Sequence, residues 1–416
     1  MRKVRYWLVI LLSILLVACR QQPASVTQKS QQPDLHTLQT QTFEALWQTV
    51  NDNFVYEDFG GVNWENVREQ YASRLEEDLS AEAFAELMRE MVSELPETAV
   101  VTYQTREERI QQALDDTGAN YEGIGAFVSV RENPEARVIL LSIMPNSPAE
   151  KAGLQPHDSI LAVDGISIAD ILPEEHPVMR VRGPAGTDVT LTVRPPGGIP
   201  RDVVVTRGAV TVTPGKLQVT RLADTIAYVL FPPVPYANMV NDLLATLDAL
   251  NTEATITGLI LDLRIATTSN GWPIDDLLSL FGNGRLGEIY TRTDTTPITV
   301  TGTDTLNSQQ IPLAIIVGPD TSGTPELFAA ALQSIKRATI IGQNTTGELE
   351  GFTPFFLPDG SRVFVPTSSY RTPDLREIGL LGVMPDIPIQ ADWDEVTDDN
   401  DPVRAAAVTV LQPEQE

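Results

Sequence analysis

This chain of 416 residues has few of the groups on which neutral-pH catalysis usually rests. Cys19 is its only cysteine, so no internal disulfide can form and a thiol protease is excluded. There are three histidines, His36, His157 and His176, and none falls in a motif with an acid or a cysteine at metal-ligand spacing. No metal and no cofactor is expected. After residue 18 only four lysines remain, Lys29, Lys151, Lys216 and Lys336, which leaves few places for a Lys base. Gly123-Ile124-Gly125 opens a G-x-G, but no third glycine follows at the spacing a dinucleotide needs. Positive charge is scarce too. The formal net charge is −27, and a chain starting at Cys19 would carry −30, because residues 1–18 hold Arg2, Lys3 and Arg5 and no acids. Such a surface repels polyanions, so nucleic acid is excluded as a partner, while basic segments of other polypeptides are attracted at low salt.

What is present begins with a targeting segment. Arg2, Lys3 and Arg5 precede an apolar run from Trp7 to Val17, too short to span a membrane comfortably. The run ends in Leu16-Val17-Ala18-Cys19, which resembles a bacterial lipobox. That implies a lipoprotein signal peptide over 1–18, a lipid-bearing Cys19, and export to the bacterial cell envelope, at a membrane surface or in the periplasm. Residues 19–36 are rich in Gln, Ser, Thr and Pro and predict a flexible tether.

Helical spacing follows over 37–118. Phe43, Leu46, Trp47, Val50 and Phe54 define one buried face, a second helix runs near Trp64 to Leu75, and a third begins after Ser80 with Phe84, Leu87, Met88 and Met91. Residues 119–208 read as β. Val138-Ile139-Leu140 is a buried strand, Asp164-Gly165 a hairpin turn, and Val189 to Val193 alternates. With Gly123-Ile124-Gly125-Ala126 and the Pro145–Leu154 helix-turn, this segment resembles a PDZ domain. Glycines there let several backbone N–H groups point into one concavity, which suits a C-terminal carboxylate. Residues 209–410 alternate strands and helices, which predicts a mostly parallel sheet. Its strands are Ile226 to Leu230, Gly258 to Arg264 and Ile311 to Val317, and Met239 to Leu250 is amphipathic.

The stretch from Asp320 to Leu332 carries the most information. Thr324-Pro325-Glu326 is a good helix start, with Thr as N-cap, Pro in the first turn and an acid at the positive end of the dipole. The stretch resembles the nucleophile segment of the carboxyl-terminal processing (tail-specific) serine peptidases. In that family a Ser-Ala-Ser-Glu run opens a helix and its first Ser attacks the peptide carbonyl. A Lys base lies twenty-five residues on in a Gly-Lys-Gly turn, and a Gln four residues later orients it. Aligned on Glu326, these positions are Gly323, Glu348 and Phe352. After Asp262-Leu263-Arg264, the family's Asn-Asn-x-Gly-Gly oxyanion turn is replaced by Ile265 to Gly271. A tricorn-like His is missing as well, since Leu95-Pro96-Glu97-Thr98 stands at that segment. The resemblance implies a multidomain α/β architecture: an N-terminal helical region, a PDZ-like β domain and a peptidase-like α/β core.

A serine mechanism needs a hydroxyl, a base and oxyanion donors. Gly323 has no side chain, and Glu348 is an acid. The expected function is capture of polypeptide C-termini or unfolded exported proteins through the PDZ groove, without hydrolysis. Gly123, Ile124, Gly125 and Ala126 would form the carboxylate loop. Two other classes stand beside it. One is an active endopeptidase using Ser322, Ser368 or Ser369 with an acidic partner. The other is a structural envelope lipoprotein with a degenerate groove.

Overall fold

A computed structural model describes residues 34–75, 79–96, 99–115, 120–172, 175–213, 215–267, 271–379 and 381–412. Cys19, Glu97 and residues 268–270 of the expected oxyanion turn lie outside the described residues. No helix among the described residues is long and apolar enough to cross a membrane.

The N-terminal helices Leu35–Asn53, Trp64–Ala72 and Ala81–Ser93 each start at a side-chain cap. Asp34, Asn63 and Ser80 accept the backbone N–H of Thr37, Asn66 and Ala83, which removes orphan donors at the first turn. Phe43, Leu46, Val50, Leu87, Met88 and Met91 pack into one core, as their spacing predicts. That core is not closed by helices alone. Val363 and Val365 complete it from the strand Arg362–Arg371, and Thr102–Gln104 pairs with the same strand. The helical region is thereby joined to a sheet built mostly from the far end of the chain.

The β domain is a sheet in the order Ala126–Arg131, Arg137–Ile143, Ser159–Val163, Asp188–Arg194, Arg201–Thr206. Asp164 and Gly165 take φ of 50° and 81°, the left-handed pair that a two-residue hairpin requires and that Asp-Gly supplies readily. Ala126–Arg131 is an edge strand of this sheet.

The core is a six-stranded sheet ordered Gln218–Leu222, Ile226–Leu230, Gly258–Asp262, Leu313–Val317, Thr339–Gly342, Ile387–Pro388. The first pair is antiparallel and all the others are parallel. Both faces are covered, which is why these strands read as unbroken apolar runs. Ala227, Val229, Leu261 and Ile315 meet the helices Met239–Glu253, Ile274–Phe281 and Thr324–Ser334. Ile226, Tyr228, Ile260 and Ile316 meet the C-terminal helix Pro402–Leu411 and also Ile139 and Leu141 of the β domain. A second, antiparallel sheet unites Thr102–Gln104, Gly284–Thr291, Thr295–Val300, Gly351–Phe356 and Arg362–Arg371. Two of its pairings are hairpins between neighbouring strands, while the pairings of Arg362–Arg371 with Thr102–Gln104 and with Gly284–Thr291 join segments far apart in sequence, and no local period announces those.

Polar contacts fix the β domain to the core. Arg137, 3% exposed, binds Asp392 at 2.6 Å and Asp394 at 2.7 Å. Arg131 binds Asp320 at 2.7 Å, and the Ser129 hydroxyl donates to the same carboxylate at 2.5 Å. His157 stacks on Trp393 at 4.1 Å, with Nδ1 2.6 Å from the Trp393 carbonyl. Burial lowers the His157 pKa, so the ring is a neutral packing element of the interdomain contact.

Candidate functional site

The strand Leu313–Val317 ends in a turn that delivers the chain to the helix Thr324–Ser334. Thr321, fully buried, braces that turn. Its hydroxyl accepts the Gly318 N–H at 3.0 Å and donates to the Leu263 carbonyl at 2.8 Å. The N-cap is Gly323 and not Thr324, one residue earlier than the local sequence suggests. Gly323 adopts φ 66° and ψ −123°, a region strained for any residue with a Cβ. The chain therefore turns at the glycine, and Thr324 and Pro325 become the first helical residues. A sharp, strained strand-to-helix turn of this kind is the way nucleophile elbows present a hydroxyl. Gly323 makes a turn of that kind and carries no side chain.

Glu326 decides what the elbow touches. It is fully buried. Its Oε2 accepts the Gly323 N–H at 2.7 Å and the Glu348 N–H at 2.9 Å, and its Oε1 accepts the Gly347 N–H at 2.7 Å and the Thr345 hydroxyl. One carboxylate oxygen shared by the N–H groups of Gly323 and Glu348 makes those two positions spatial neighbours. The resemblance placed a nucleophile and its base there, twenty-five residues apart. Desolvation pushes the Glu326 carboxyl upward, and its four donors pull against that rise. Gly347 is required in this loop, since it takes φ 85° and any Cβ would collide with the Gly379 carbonyl. Glu348 itself is exposed, and Phe352 is 49% exposed on the strand Gly351–Phe356.

The other proton-transfer candidates lie elsewhere. Lys336 sits just past the far end of the helix that Gly323 opens. At a rise of about 1.5 Å per residue, that is roughly 20 Å from the elbow. Ser322 is half-buried, and its N–H is bound to the Ala266 carbonyl at 3.2 Å. Ser369 is 1% exposed, which closes it to a polypeptide. Among the described residues no group of three His, Cys, Asp or Glu side chains is arranged to hold a metal ion.

Ser369 belongs to a buried cluster with no counterpart in the motifs. The Tyr56 hydroxyl donates to Glu350 and lies 3.4 Å from Ser369 Oγ, while Tyr290 donates to Glu377. Burial pushes the Glu350 carboxyl up to about 7. The folded chain thus holds this proton through a pH range in which the unfolded chain has released it. Stability from this group is present in full below pH about 4.5 and is lost as pH rises to about 7. The loss is expected to approach about 3 kcal/mol. Urea midpoints at pH 5 and pH 8 measure it, and Glu350→Gln is expected to remove most of the difference. A wild-type midpoint independent of pH would contradict the burial argument.

A second site lies in the β domain. The Pro177–Val181 helix and the edge strand Ala126–Arg131 flank a cavity of about 220 Å³. Ile124, Ala126, Val128, Val138, Val178 and Val181 give it an apolar lining, and Tyr121 and Arg182 line it too. Gly125 has φ 80°, and a Cβ there would sit 2.5 Å from Ser147 Cβ. The loop's own backbone requires that glycine. Two further features were invisible in the motifs: the four-donor nest around Glu326, and the position of Tyr121 against the glycine loop. In the sequence Glu326 served as an acid near a helix dipole and as the anchor of the family alignment, with no sign of its four donors, and nothing in the spacing of Tyr121 distinguishes it from any strand tyrosine.

Three family models match the chain: peptidase family S41 over residues 225–389, the tricorn protease C1 domain over 37–93, and a PDZ domain over 139–195. The carboxyl-terminal-processing protease of Synechocystis sp. is 29% identical over 384 residues, covering 88% of this chain and 85% of that protein. The protein of the same description from Picosynechococcus sp. is 29% identical over 354 residues, covering 82% and 80%. A solved photosystem II D1 C-terminal processing protease shares the fold, with a TM-score of 0.62 at 23% identity over 86% of this chain and 94% of that one. Over most of its length the chain is thus similar to the PDZ-containing carboxyl-terminal processing serine peptidases.

Proposed function

We propose that this relative of the carboxyl-terminal processing peptidases captures extended polypeptides and C-termini in its PDZ groove and does not hydrolyse them. The observation that carries this reading is the elbow at Gly323. Its backbone has the strained turn of a nucleophile position, and no hydroxyl stands on it. The neighbouring base position presents an exposed carboxylate at Glu348 in place of an amine. Binding, by contrast, keeps its parts. An edge strand offers unpaired backbone groups to an added strand, and an apolar cavity lies beside it to take a side chain. Affinity for an apolar C-terminus is expected in the micromolar range, roughly −8 kcal/mol.

The purified chain is expected to leave casein and C-terminally tagged reporters intact and to take up no serine-reactive phosphonate. Labelling of any Ser, together with loss of turnover when that Ser becomes Ala, would establish the endopeptidase reading instead. Failure of free-acid, amidated and unfolded peptides alike to bind would leave the structural-lipoprotein reading.

The lipobox-like Leu16 to Cys19 and the polar tether support placement of this activity at the bacterial envelope, held by lipid on Cys19. Cys19→Ser is expected to release the protein from membranes or leave its signal peptide uncleaved. A mature, acyl-free Cys19→Ser protein that still sediments with membranes would count against this anchor.

A further inference from the structure

A cavity of about 360 Å³ opens between the helix Met239–Glu253 and the turn Thr305–Ser308, and it shares no residue with the peptide groove or the Gly323 turn. Its floor belongs to the core, for Leu247, Leu259, Phe281 and Ile311 are buried there. No Asp, Glu, Lys or Arg lines it. At its mouth Asn251, Thr255 and Asn307 are exposed. Asn251 Oδ1 accepts the Ile256 N–H at 3.0 Å, so its NH₂ is the end left for a ligand.

The turn beside the mouth is strained. Leu306 and Asn307 are both left-handed, at φ 55° and 63°. Asn adopts that region readily, whereas a branched apolar side chain is a rare occupant. Hydrogen bonds pin the turn all the same. The Ser308 N–H donates to the Thr305 carbonyl at 3.0 Å, and Arg337 donates to the Ser308 and Ile311 carbonyls at 2.6 and 2.9 Å. Leu306 is 37% exposed and lines the cavity. A position that suits Asn or Gly thus carries a leucine at the edge of an apolar hollow.

We propose that this cavity binds a neutral, single-chain aliphatic molecule of about eight to ten carbons, with Leu306 as its cover. Size sets the length, since an apolar cavity of about 150 Å³ takes benzene and this one has more than twice that volume. Charge sets the head group. A carboxylate would meet no cation in the lining and would approach against a net charge of −27. A hydroxyl or an ester finds donors and acceptors in Asn251, Thr255 and Asn307. Leu306 adds apolar contact to the bound chain, which gives the strained leucine a role.

The probe is 1-octanol, with octanoate as its charged counterpart, titrated calorimetrically into the full chain at neutral pH. One-site binding is expected with a Kd of about 0.1–1 mM, and octanoate is expected to bind at least about tenfold more weakly. Methyl resonances of Leu247, Leu259 and Ile311 are expected to shift with octanol and to saturate with the same Kd. Thr255→Trp places a ring at the exposed mouth and is expected to weaken octanol about tenfold. Leu306→Asn tolerates the turn, removes the cover and is expected to weaken octanol about fivefold. Octanol that fails to saturate the three methyls, octanoate that binds as tightly as octanol, or full affinity in a folded Thr255→Trp chain overturns the assignment. Octanol affinity unchanged by Leu306→Asn overturns the covering role.

Discussion

The variant Gly323→Ser/Glu348→Lys/Phe352→Gln is expected to cleave casein slowly, and the wild-type chain is expected not to cleave it. The three positions are worth restoring because Glu326 already holds two of them together, through one oxygen shared by the N–H groups of Gly323 and Glu348. Backbone preorganisation is the part of a catalytic site that substitution supplies least easily. The recovered rate should nonetheless be small. Glu348 is exposed, so a lysine placed there stays solvated and largely protonated, and a protonated amine takes no proton from serine. Loss of a competent general base alone removes a factor of about 10² to 10⁴. The serine also enters at φ 66°, where a Cβ costs about 1–3 kcal/mol, and the variant should melt at a lower temperature. Phosphonate labelling that maps to position 323 checks the placement independently of turnover. A folded triple variant that takes up no label and releases no peptide would show that Gly323 does not occupy a nucleophile position.

Glu326→Ala is expected to destabilise the chain by about 4 kcal/mol. The carboxylate is fully buried. Its removal strands three backbone N–H groups and the Thr345 hydroxyl with no acceptor in a site closed to water. Each buried donor left unsatisfied costs about 1–3 kcal/mol, with partial relief as the loop relaxes. Glu326→Gln should cost less, about 2 kcal/mol, since its amide oxygen still accepts while its NH₂ faces donors. Urea denaturation measures both. Hydrogen exchange adds a local signature, because Gly347 and Glu348 should lose protection well before the sheet strand Leu313–Val317 does. An Ala variant within about 1 kcal/mol of wild type would mean that the nest does not hold the two turns together.

These two experiments address different kinds of information in the chain. That Gly, Glu and Phe stand at 323, 348 and 352 is a set of single-residue facts, and the resemblance, once aligned on Glu326, is what gives those positions a catalytic meaning. The role of Glu326 was not legible. Its four donors come from residues 323, 345, 347 and 348, and only packing brings them around one carboxyl. The shifted N-cap shows the same limit at short range. Thr324 has the better capping chemistry, but Gly323 tolerates the backbone angles that the turn demands.

Sequence alone determined the elements whose patterns are local. The helical faces at Phe43–Val50 and Phe84–Met91, the Asp164-Gly165 hairpin and the apolar strands of the parallel sheet follow from periods and turn chemistry, which neighbouring residues set between themselves. Tertiary structure decided the contacts made across distance. Among these are the antiparallel sheet that joins residues 102–104 to 362–364, the burial of Tyr56 against Glu350 and Ser369, and the meeting of residues 323, 345, 347 and 348 around Glu326. Such contacts leave no periodic trace, because side chains remote in sequence meet only where the folded chain closes space around them.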